Sequence, residues 1–484
     1  MFYFDMRRFF LKNKLERDKI AEKNPFIFRK KVAMKEKHHL NSAQIIPLGF
    51  LGLILVGALL LWLPIATTSG EMPEFSTALF TSTTSVCVTG SVVVDTFSYW
   101  SGFGQAVILL LIQLGGLGIV AIVSLAIVHT KKRKSYAGIL LLKDSFGLES
   151  MRGVAPFINR VFIGTLTVEL LGALGYMFAF IPKFGVLRGI YYSFFTSVSA
   201  FCNAGIDVMG PDSLVAFSGN EIVLFVTMFL IIAGGIGYVV WFDLGFTHKR
   251  IWKRSKSGHG SGEHTMLVLR ITLVLIALGA VLTLILEWNN PETIGGMNVW
   301  DKITNSTFQS VTYRTAGFTT FSQAGMRESS TLVGDLLMFI GGSPVGTAGG
   351  VKTVTMFVVV ANVMAFVRGR YEVVIFGRRI PDNLIRQAMA IVAVHLAMTV
   401  VLTIALVIAE GTNLTDSLYE VMSGICTVGV SRGLTPELHL SGRIILIIAM
   451  YLGRIGPISM ALFFNTGSNN KNNIHYAKGR FMIG

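Results

Sequence analysis

Four short cassettes, each closing on a glycine, recur along this chain: Cys87-Val88-Thr89-Gly90, Cys202-Asn203-Ala204-Gly205, Arg314-Thr315-Ala316-Gly317 and Cys426-Thr427-Val428-Gly429. The glycines stand 115, 112 and 112 residues apart. Each cassette follows a short Ser/Thr-rich segment and precedes a long apolar stretch. Recurrence at so regular an interval predicts four related units about a common axis. Turning successive carbonyls toward an axis demands backbone angles that a Cβ resists and glycine adopts freely. Four such loops form a place where an ion exchanges its water for main-chain oxygen. The candidate ion-binding residues are Val88, Thr89 and Gly90; Asn203, Ala204 and Gly205; Thr315, Ala316 and Gly317; and Thr427, Val428 and Gly429. Thr89, Thr315 and Thr427 add carbonyl or hydroxyl oxygens. The cassettes hold no carboxylate, which suits a monovalent ion that must leave again.

Composition fixes the surroundings. Of 484 residues 52% are hydrophobic and 14% charged, against about 25% charged in an ordinary soluble domain. Apolar runs at Ile45–Ile65, Ala106–Val128, Phe225–Trp241, Ile271–Leu286 and Leu396–Ala409 mark spanning segments. An all-α polytopic membrane protein follows. The three cysteines share one cassette position, with Arg314 in the fourth copy, and no CxxC or His pair accompanies them. Shared descent and small-residue packing explain them better than zinc or a disulfide.

The formal net charge of +15 is confined. Of the 42 Lys and Arg, 33 fall within 1–44, 130–160, 248–270, 367–386 and 465–484. These alternate with segments carrying Glu71 and Glu74, Asp207 and Asp212, Glu287 and Glu292, and Asp416 and Glu420. Positive loops stay in the cytoplasm, so all five, both termini included, are expected inside the cell membrane. Orientation and anionic lipid account for the charge better than nucleic acid does. The charged first 40 residues exclude a cleavable signal peptide, and Phe9, Phe10, Leu11 and Leu15 suggest a basic amphipathic helix on the bilayer surface.

Each unit must then cross outward, dip and return. The expected architecture is a basic cytoplasmic region (1–44), unit one (45–130), unit two (155–247), unit three (265–367), unit four (384–465) and a cytoplasmic tail (466–484). The outward helices are Ile45–Ile65, Phe157–Ile181, Thr265–Trp288 and Leu384–Glu410. Short helices at Phe75–Val86, Gly189–Phe201, Asp301–Tyr313 and Thr415–Ile425 lead into the cassettes, with Asp301 and Asp416 marking two of their starts. At about a dozen residues they are too short to span, so they must be buried in protein or line water. Their C-terminal ends, aimed at the axis, favour a cation. The returns are Trp100–Thr130, Glu221–Phe246, Leu332–Val367 and Ser441–Asn465. Glycine clusters at Gly115-Gly116-Leu117-Gly118, Gly234-Gly235-Ile236-Gly237, Gly341-Gly342 and Gly453 mark where these approach the pore.

Two features break the fourfold pattern. The third return contains Gly341-Gly342-Ser343-Pro344-Val345-Gly346-Thr347-Ala348-Gly349-Gly350-Val351-Lys352-Thr353, which no helix tolerates at that depth. Val351 precedes the lysine where a phosphate-binding loop needs glycine, so nucleotide binding is excluded. An intramembrane loop over 342–352 is the better reading, with Gly342, Ser343, Pro344, Gly346, Thr347, Ala348, Gly349, Gly350 and Lys352 as gating candidates. The fourth return carries Arg454 between Gly453 and Gly456. A charge there costs about 2.5–3.5 kcal/mol and must face the interior or water, where it raises the barrier to a passing cation. Glu169 and Asp243 are expected to make structural hydrogen bonds. No nucleophile–base pair, nucleotide motif or metal-ligand cluster supports catalysis, so the chain is not read as an enzyme.

Taken together, the four cassettes, the Gly-Ser-Pro-x-Gly-Thr-Ala-Gly-Gly-x-Lys-Thr run and Arg454 resemble the TrkH/KtrB/HKT superfamily of potassium transporters over roughly residues 45–465, the short loops being most similar to the membrane subunits of Ktr systems. The resemblance implies a homodimer with one pore per subunit and a cytoplasmic KtrA-type ring binding ATP or ADP. It also implies K+ as the transported ion, with Na+ stimulating transport, and no cofactor in this chain itself. Carried over by motif, Gly90, Gly205, Gly317 and Gly429 form the filter, Ser343–Val351 the gating loop and Arg454 the pore-facing arginine. In HKT relatives serine at the first filter glycine goes with sodium preference; Gly90 keeps the potassium-type residue. Ser91 and Val345 depart from the usual apolar and small residues. A sodium-preferring or sodium-coupled carrier of the same fold stays open.

Overall fold

A computed structural model describes residues 42–118, 154–210, 212–246 and 262–456. The amphipathic stretch at Phe9–Leu15, the inner ends of the first and fourth returns (119–130 and 457–465), the basic segments 131–152 and 249–261, and the tail 466–484 lie outside the described residues.

Unit one comprises α1 (Ser42–Leu61), α2 (Phe75–Cys87) and α3 (Gly102–Leu117). Unit two comprises α4 (Val154–Phe184), α5 (Val186–Cys202), α6 (Glu221–Gly235) and α7 (Tyr238–Phe246). Unit three comprises α8 (Gly262–Glu287), α9 (Val299–Thr312), α10 (Glu328–Phe339) and α11 (Thr353–Val367). Unit four comprises α12 (Asp382–Glu410), α13 (Leu414–Ile425) and α14 (Leu440–Ile455). Among the described residues, extended pairing is limited to a two-residue ladder, Val374–Ile375 with Arg378–Arg379, and isolated bridges.

The outer helices α4, α8 and α12 are long and apolar enough to cross a bilayer. They leave large apolar side chains such as Phe178, Leu273, Val274 and Ile408 exposed, as a lipid-facing surface requires. The short helices are the reverse: α2, α5, α9 and α13 are buried along most of their length.

A serine at mid-helix stitches three short helices to their outer helices. Ser82 donates to Ile54 O (2.6 Å), Ser197 to Glu169 O (2.6 Å) and Ser310 to Ile276 O (2.9 Å). Opposite each serine stands a glycine, Gly57, Gly172 or Gly279, where a Cβ would collide with the hydroxyl. Small residues let the two backbones approach, and hydrogen bonds between membrane helices add roughly 0.6 kcal/mol each. Unit four has Val421 in place of the serine and lacks this stitch.

Two helix starts sit earlier than the sequence suggested. Asn298 and Asn413 are the caps, and Asp301 and Asp416 lie three residues inside. Each asparagine Oδ1 accepts the aspartate N–H at 2.8 Å, and its Nδ2 donates back to the aspartate carboxylate at 2.7 Å. This reciprocal arrangement satisfies a main-chain donor that a helix start otherwise leaves open.

Every neighbouring pair of units is tied by a polar contact. Tyr191 donates to Gln105 Oε1 (2.9 Å), joining units one and two. Trp300 Nε1 donates to Glu221 Oε1 (2.7 Å), joining two and three. Arg432 reaches Thr331 Oγ1 (2.7 Å), joining three and four. Arg443 reaches Ser76 Oγ (3.1 Å) and Thr77 Oγ1 (3.3 Å), closing four onto one.

The second return helix is not continuous. The α6 and α7 segments meet at 99°, with Gly237 at φ +90°. The cause is the third-unit loop: a Cβ on Gly237 would overlap the Pro344 carbonyl oxygen, and Tyr238 N donates to Val345 O at 2.9 Å.

Candidate ion-binding site

The cassettes close into a ring. A Cβ placed on Gly90 would lie 2.6 Å from Ala204 O, on Gly205 2.6 Å from Ala316 O, and on Gly317 2.6 Å from Val428 O. On Gly429 it would overlap Thr89 O. Each glycine thus abuts the carbonyl of the residue preceding the next glycine. All four glycines take positive φ, +100°, +65°, +87° and +92° in chain order.

The residue two places before each glycine is also left-handed: Val88 (φ 55°), Asn203 (60°), Thr315 (72°) and Thr427 (51°). For β-branched side chains this is an outlier, and the three at Val88, Thr315 and Thr427 concentrate local strain where the cassettes meet. Asn203 tolerates the angle better. With its amide oriented to satisfy both ends, Nδ2 donates to Ala200 O (3.0 Å) and Ile231 O (3.3 Å).

What holds this backbone is a hydroxyl-bearing residue six places before the glycine. Thr84 O accepts Thr89 N (2.9 Å) while Thr84 Oγ1 accepts Gly90 N (3.0 Å). Ser423 O accepts Val428 N (2.8 Å) and its hydroxyl accepts Gly429 N (2.9 Å). Ser199 O takes Ala204 N at 2.8 Å. In unit three Thr312 replaces it one position later, accepting Ala316 N (2.9 Å) and donating to Phe318 O (2.7 Å). The sequence showed these segments as Ser/Thr-rich, but the hub position was not read from it; its common offset from the glycine in units one, two and four was the available signal.

The return helices press against the short helices through glycine. A Cβ on Gly115, Gly234 or Gly453 would overlap the carbonyl of Val86, Phe201 or Ile425, each four residues before a cassette glycine. In unit three the corresponding Gly341 contacts Gly349 instead.

The 340–352 segment is irregular backbone enclosed by protein. Ser343 N donates to Gly235 O (2.9 Å), Thr347 N to Gly234 O (3.2 Å) and Thr347 Oγ1 to Phe201 O (3.2 Å). Gly349 N donates to Thr315 Oγ1 (3.2 Å), and a Cβ there would strike Thr427 Oγ1. The loop therefore touches the ring directly. Ser343 and Thr353 hydroxyls pair at 3.2 Å, closing its base. Gly342 and Gly350 pack inside the loop against Ala348 and Gly341, and Gly346 lies against the α6–α7 break. Two cations clasp adjacent carbonyls of the loop: Arg454 Nη1 donates to Thr347 O (2.7 Å) and Lys352 Nζ to Ala348 O (2.6 Å). Arg454 also reaches Gly115 O.

Two cavities flank this arrangement. One, of about 490 Å³, is lined by all four glycines and by residues after them, including Asp95, Asp207 and Asp212. The other, of about 480 Å³, is lined by Gly346, Gly349, Lys352, Tyr238, His395 and Arg454 among others. Gly349 lines the second cavity and bonds to Thr315 of the ring, so the loop stands between them.

Sequence comparison identifies the architecture. Residues 27–476 match the TrkH family, described as a cation transport protein. The chain belongs to the TrkH family of cation transport proteins. The Ktr system potassium uptake protein B of Bacillus subtilis is 36% identical over 91% of this chain and 96% of its own. The potassium/sodium uptake protein NtpJ of Enterococcus hirae is 35% identical over 93% and 98%. The crystal structure of the potassium transporter TrkH from Vibrio parahaemolyticus superposes with a TM-score of 0.68 at 17% identity, covering 89% of this chain and 86% of that one, and so shares the fold.

This TrkH-family chain is accordingly an all-α, multi-pass membrane transport protein and not an enzyme. Its cysteines Cys87, Cys202 and Cys426 are buried free thiols. Arg314, their counterpart, is buried with its Nε unpaired. Glu169 accepts from Gln113 Nε2 at 3.3 Å, and Asp243 from Thr265 Oγ1 at 2.6 Å. Two acids from the acid-carrying segments are fully buried: Glu287, which accepts Arg327 N (3.1 Å), and Glu420, which accepts Arg432 N (3.0 Å).

Proposed function

We propose that this protein is the membrane subunit of a potassium-uptake system, conducting K+ through a filter built from the cassettes of Gly90, Gly205, Gly317 and Gly429. The observation that carries the reading is the closed ring of glycines abutting the carbonyls of Thr89, Ala204, Ala316 and Val428. Desolvated oxygens at fixed spacing replace the hydration shell of a monovalent cation, and short-helix C-termini add negative potential. The 342–352 loop, clasped by Arg454 and Lys352, is the gate below that filter. Both termini face the cytoplasm, the chain pairs as a homodimer, and a KtrA-type ring that binds ATP or ADP controls the gate. A relative named as a Ktr-system component supports the partner. A second reading, transport of Na+ or coupling to it, is favoured by the resemblance to NtpJ.

Flux into liposomes carrying the purified chain, with graded K+, Rb+ and Na+, separates the two. The expected result is K+ and Rb+ flux that Na+ inhibits weakly; Na+ flux equal to K+ flux without mutual competition overturns the first reading.

Asp207 lies in the outer cavity with Asp95, Asp212 and Arg432 around it. Burial pushes its carboxyl up to about 6, with the Asp95 charge adding to the rise and hydrogen bonds from Ser213 and Met209 opposing it. Lowering the outer pH through about 6 therefore removes a negative charge from the mouth. Half-saturation for K+ is expected to rise, and Asp207→Asn is expected to flatten that response in uptake assays at graded pH. The same shift sets the sign for stability. The folded state favours the protonated form, a contribution full below the unfolded value of about 4 and lost as pH rises through about 6. Asp207→Asn should therefore not lower melting temperature at neutral pH.

A further inference from the structure

Glu420 breaks the fourfold pattern where the chain leaves the ring. It is 0% exposed, on the buried face of α13. Nine residues before each cassette glycine the other units carry Thr81, Thr196 and Phe308, so only unit four places a charge there. The strand after Gly429 lines the outer cavity through Val430, Ser431, Arg432 and Gly433, and Glu420 holds that strand from behind. Its Oε1 accepts Ser431 Oγ and Arg432 N (3.0 Å), and its Oε2 accepts Thr435 Oγ1 (2.5 Å). Ser431 Oγ in turn accepts Gly433 N at 3.0 Å, where the backbone turns at φ +99°.

The Arg432 N–H can only donate, so Oε1 must accept there, and the two hydroxyls complete the shell of the carboxylate as donors. One turn earlier on the same helix face, Asp416 binds the Arg432 guanidinium at 2.7 Å. Arg432 Nη1 continues to Gln323 O and Met326 O, both at 3.2 Å. Asp416 takes the guanidinium, so among the described residues the buried Glu420 has no cation of its own in direct contact, and it lies adjacent to the mouth.

We propose that Glu420 is a positioning and specificity-determining residue: as a carboxylate it fixes the strand leaving Gly429 and lends its charge to cation entry. The proposal rests on the filter reading above. At an effective dielectric constant of about 20, one charge roughly 10 Å from an ion changes its binding by about tenfold.

The test is K+ and Na+ uptake kinetics in proteoliposomes for Glu420→Gln, Glu420→Asp and the double variant Ser431→Ala/Thr435→Val, with Gly429→Ser alongside. Glu420→Gln is expected to raise the K+ half-saturation concentration about tenfold, with a smaller change in maximal rate and weaker K+ over Na+ discrimination. Glu420→Asp keeps the charge and should hold half-saturation near wild type while discrimination falls. The double variant retains the carboxylate but removes two donors and should lose discrimination as well. If Glu420→Gln cannot be purified folded, the Asp and double variants decide. Wild-type half-saturation and discrimination in the variants obtained overturn the proposal while Gly429→Ser still alters discrimination. If Gly429→Ser is also silent, the filter reading itself fails.

Discussion

Serine at Gly429 is expected to cost the protein most of its ability to prefer K+ over Na+. Its φ is +92° and a Cβ there overlaps the carbonyl oxygen of Thr89, with the Gly90 Cα only 2.6 Å away. Both obstacles are backbone, so no rotamer relieves them. Left-handed geometry alone costs a side-chain-bearing residue roughly 1–2 kcal/mol. The ring must open or the Thr89 carbonyl must turn aside, and either changes the oxygen spacing that distinguishes the two ions. A loss of about 1.4 kcal/mol in differential binding already lowers discrimination tenfold, and the combined strain exceeds that. Gly90→Ser should behave alike, its Cβ lying 2.6 Å from Ala204 O at φ +100°. Gly52→Ser is the control: nothing lies within 4 Å of a Cβ there, and transport is expected to stay at wild type. The check is Rb+ uptake competed by Na+; unchanged competition in both ring variants would remove the four glycines from the ion path.

Deleting Gly346–Gly350 is the second large effect, and its sign is opposite. The segment carries the Gly349 contact to Thr315 and the carbonyls that Arg454 and Lys352 grip. Each hydrogen bond is worth roughly 0.5–1.5 kcal/mol net, so on the proposed gating role several together oppose opening of the loop. Without it, flux through liposomes bearing this chain alone should rise severalfold and lose any response to ATP or ADP when a regulatory ring is added. Arg454→Gln removes one clasp and should give a smaller rise. Flux that stays at the wild-type level in the deletion would mean that the barrier lies elsewhere.

Much of the architecture could be read from residues. The short helices lie within a few residues of where the cassettes and the alternation of charge placed them, because each must end just before its cassette glycine. Boundaries erred where a side chain's partner decided the matter. Asp301 and Asp416 looked like helix starts, yet Asn298 and Asn413 do the capping, since an asparagine three residues upstream can both accept and donate. The second return helix read as one apolar run, and its 99° break has no proline to announce it. The Val345 and Pro344 carbonyls that force it come from another unit. Glu420 illustrates the limit most sharply: in sequence it is one more acid beside Asp416, and only its burial and its contacts with 431–435 make it an anchor.

By itself, the sequence determined that this chain spans a membrane in four glycine-marked units, because apolar length and repeat spacing are local properties written residue by residue. The tertiary structure alone decided which carbonyl each glycine meets, that the loop reaches Thr315 and Thr427, and that Arg454 and Lys352 hold adjacent peptide oxygens. Those are contacts between segments about a hundred residues apart or more for most pairs, and they depend on how four buried helix ends converge, which composition does not encode.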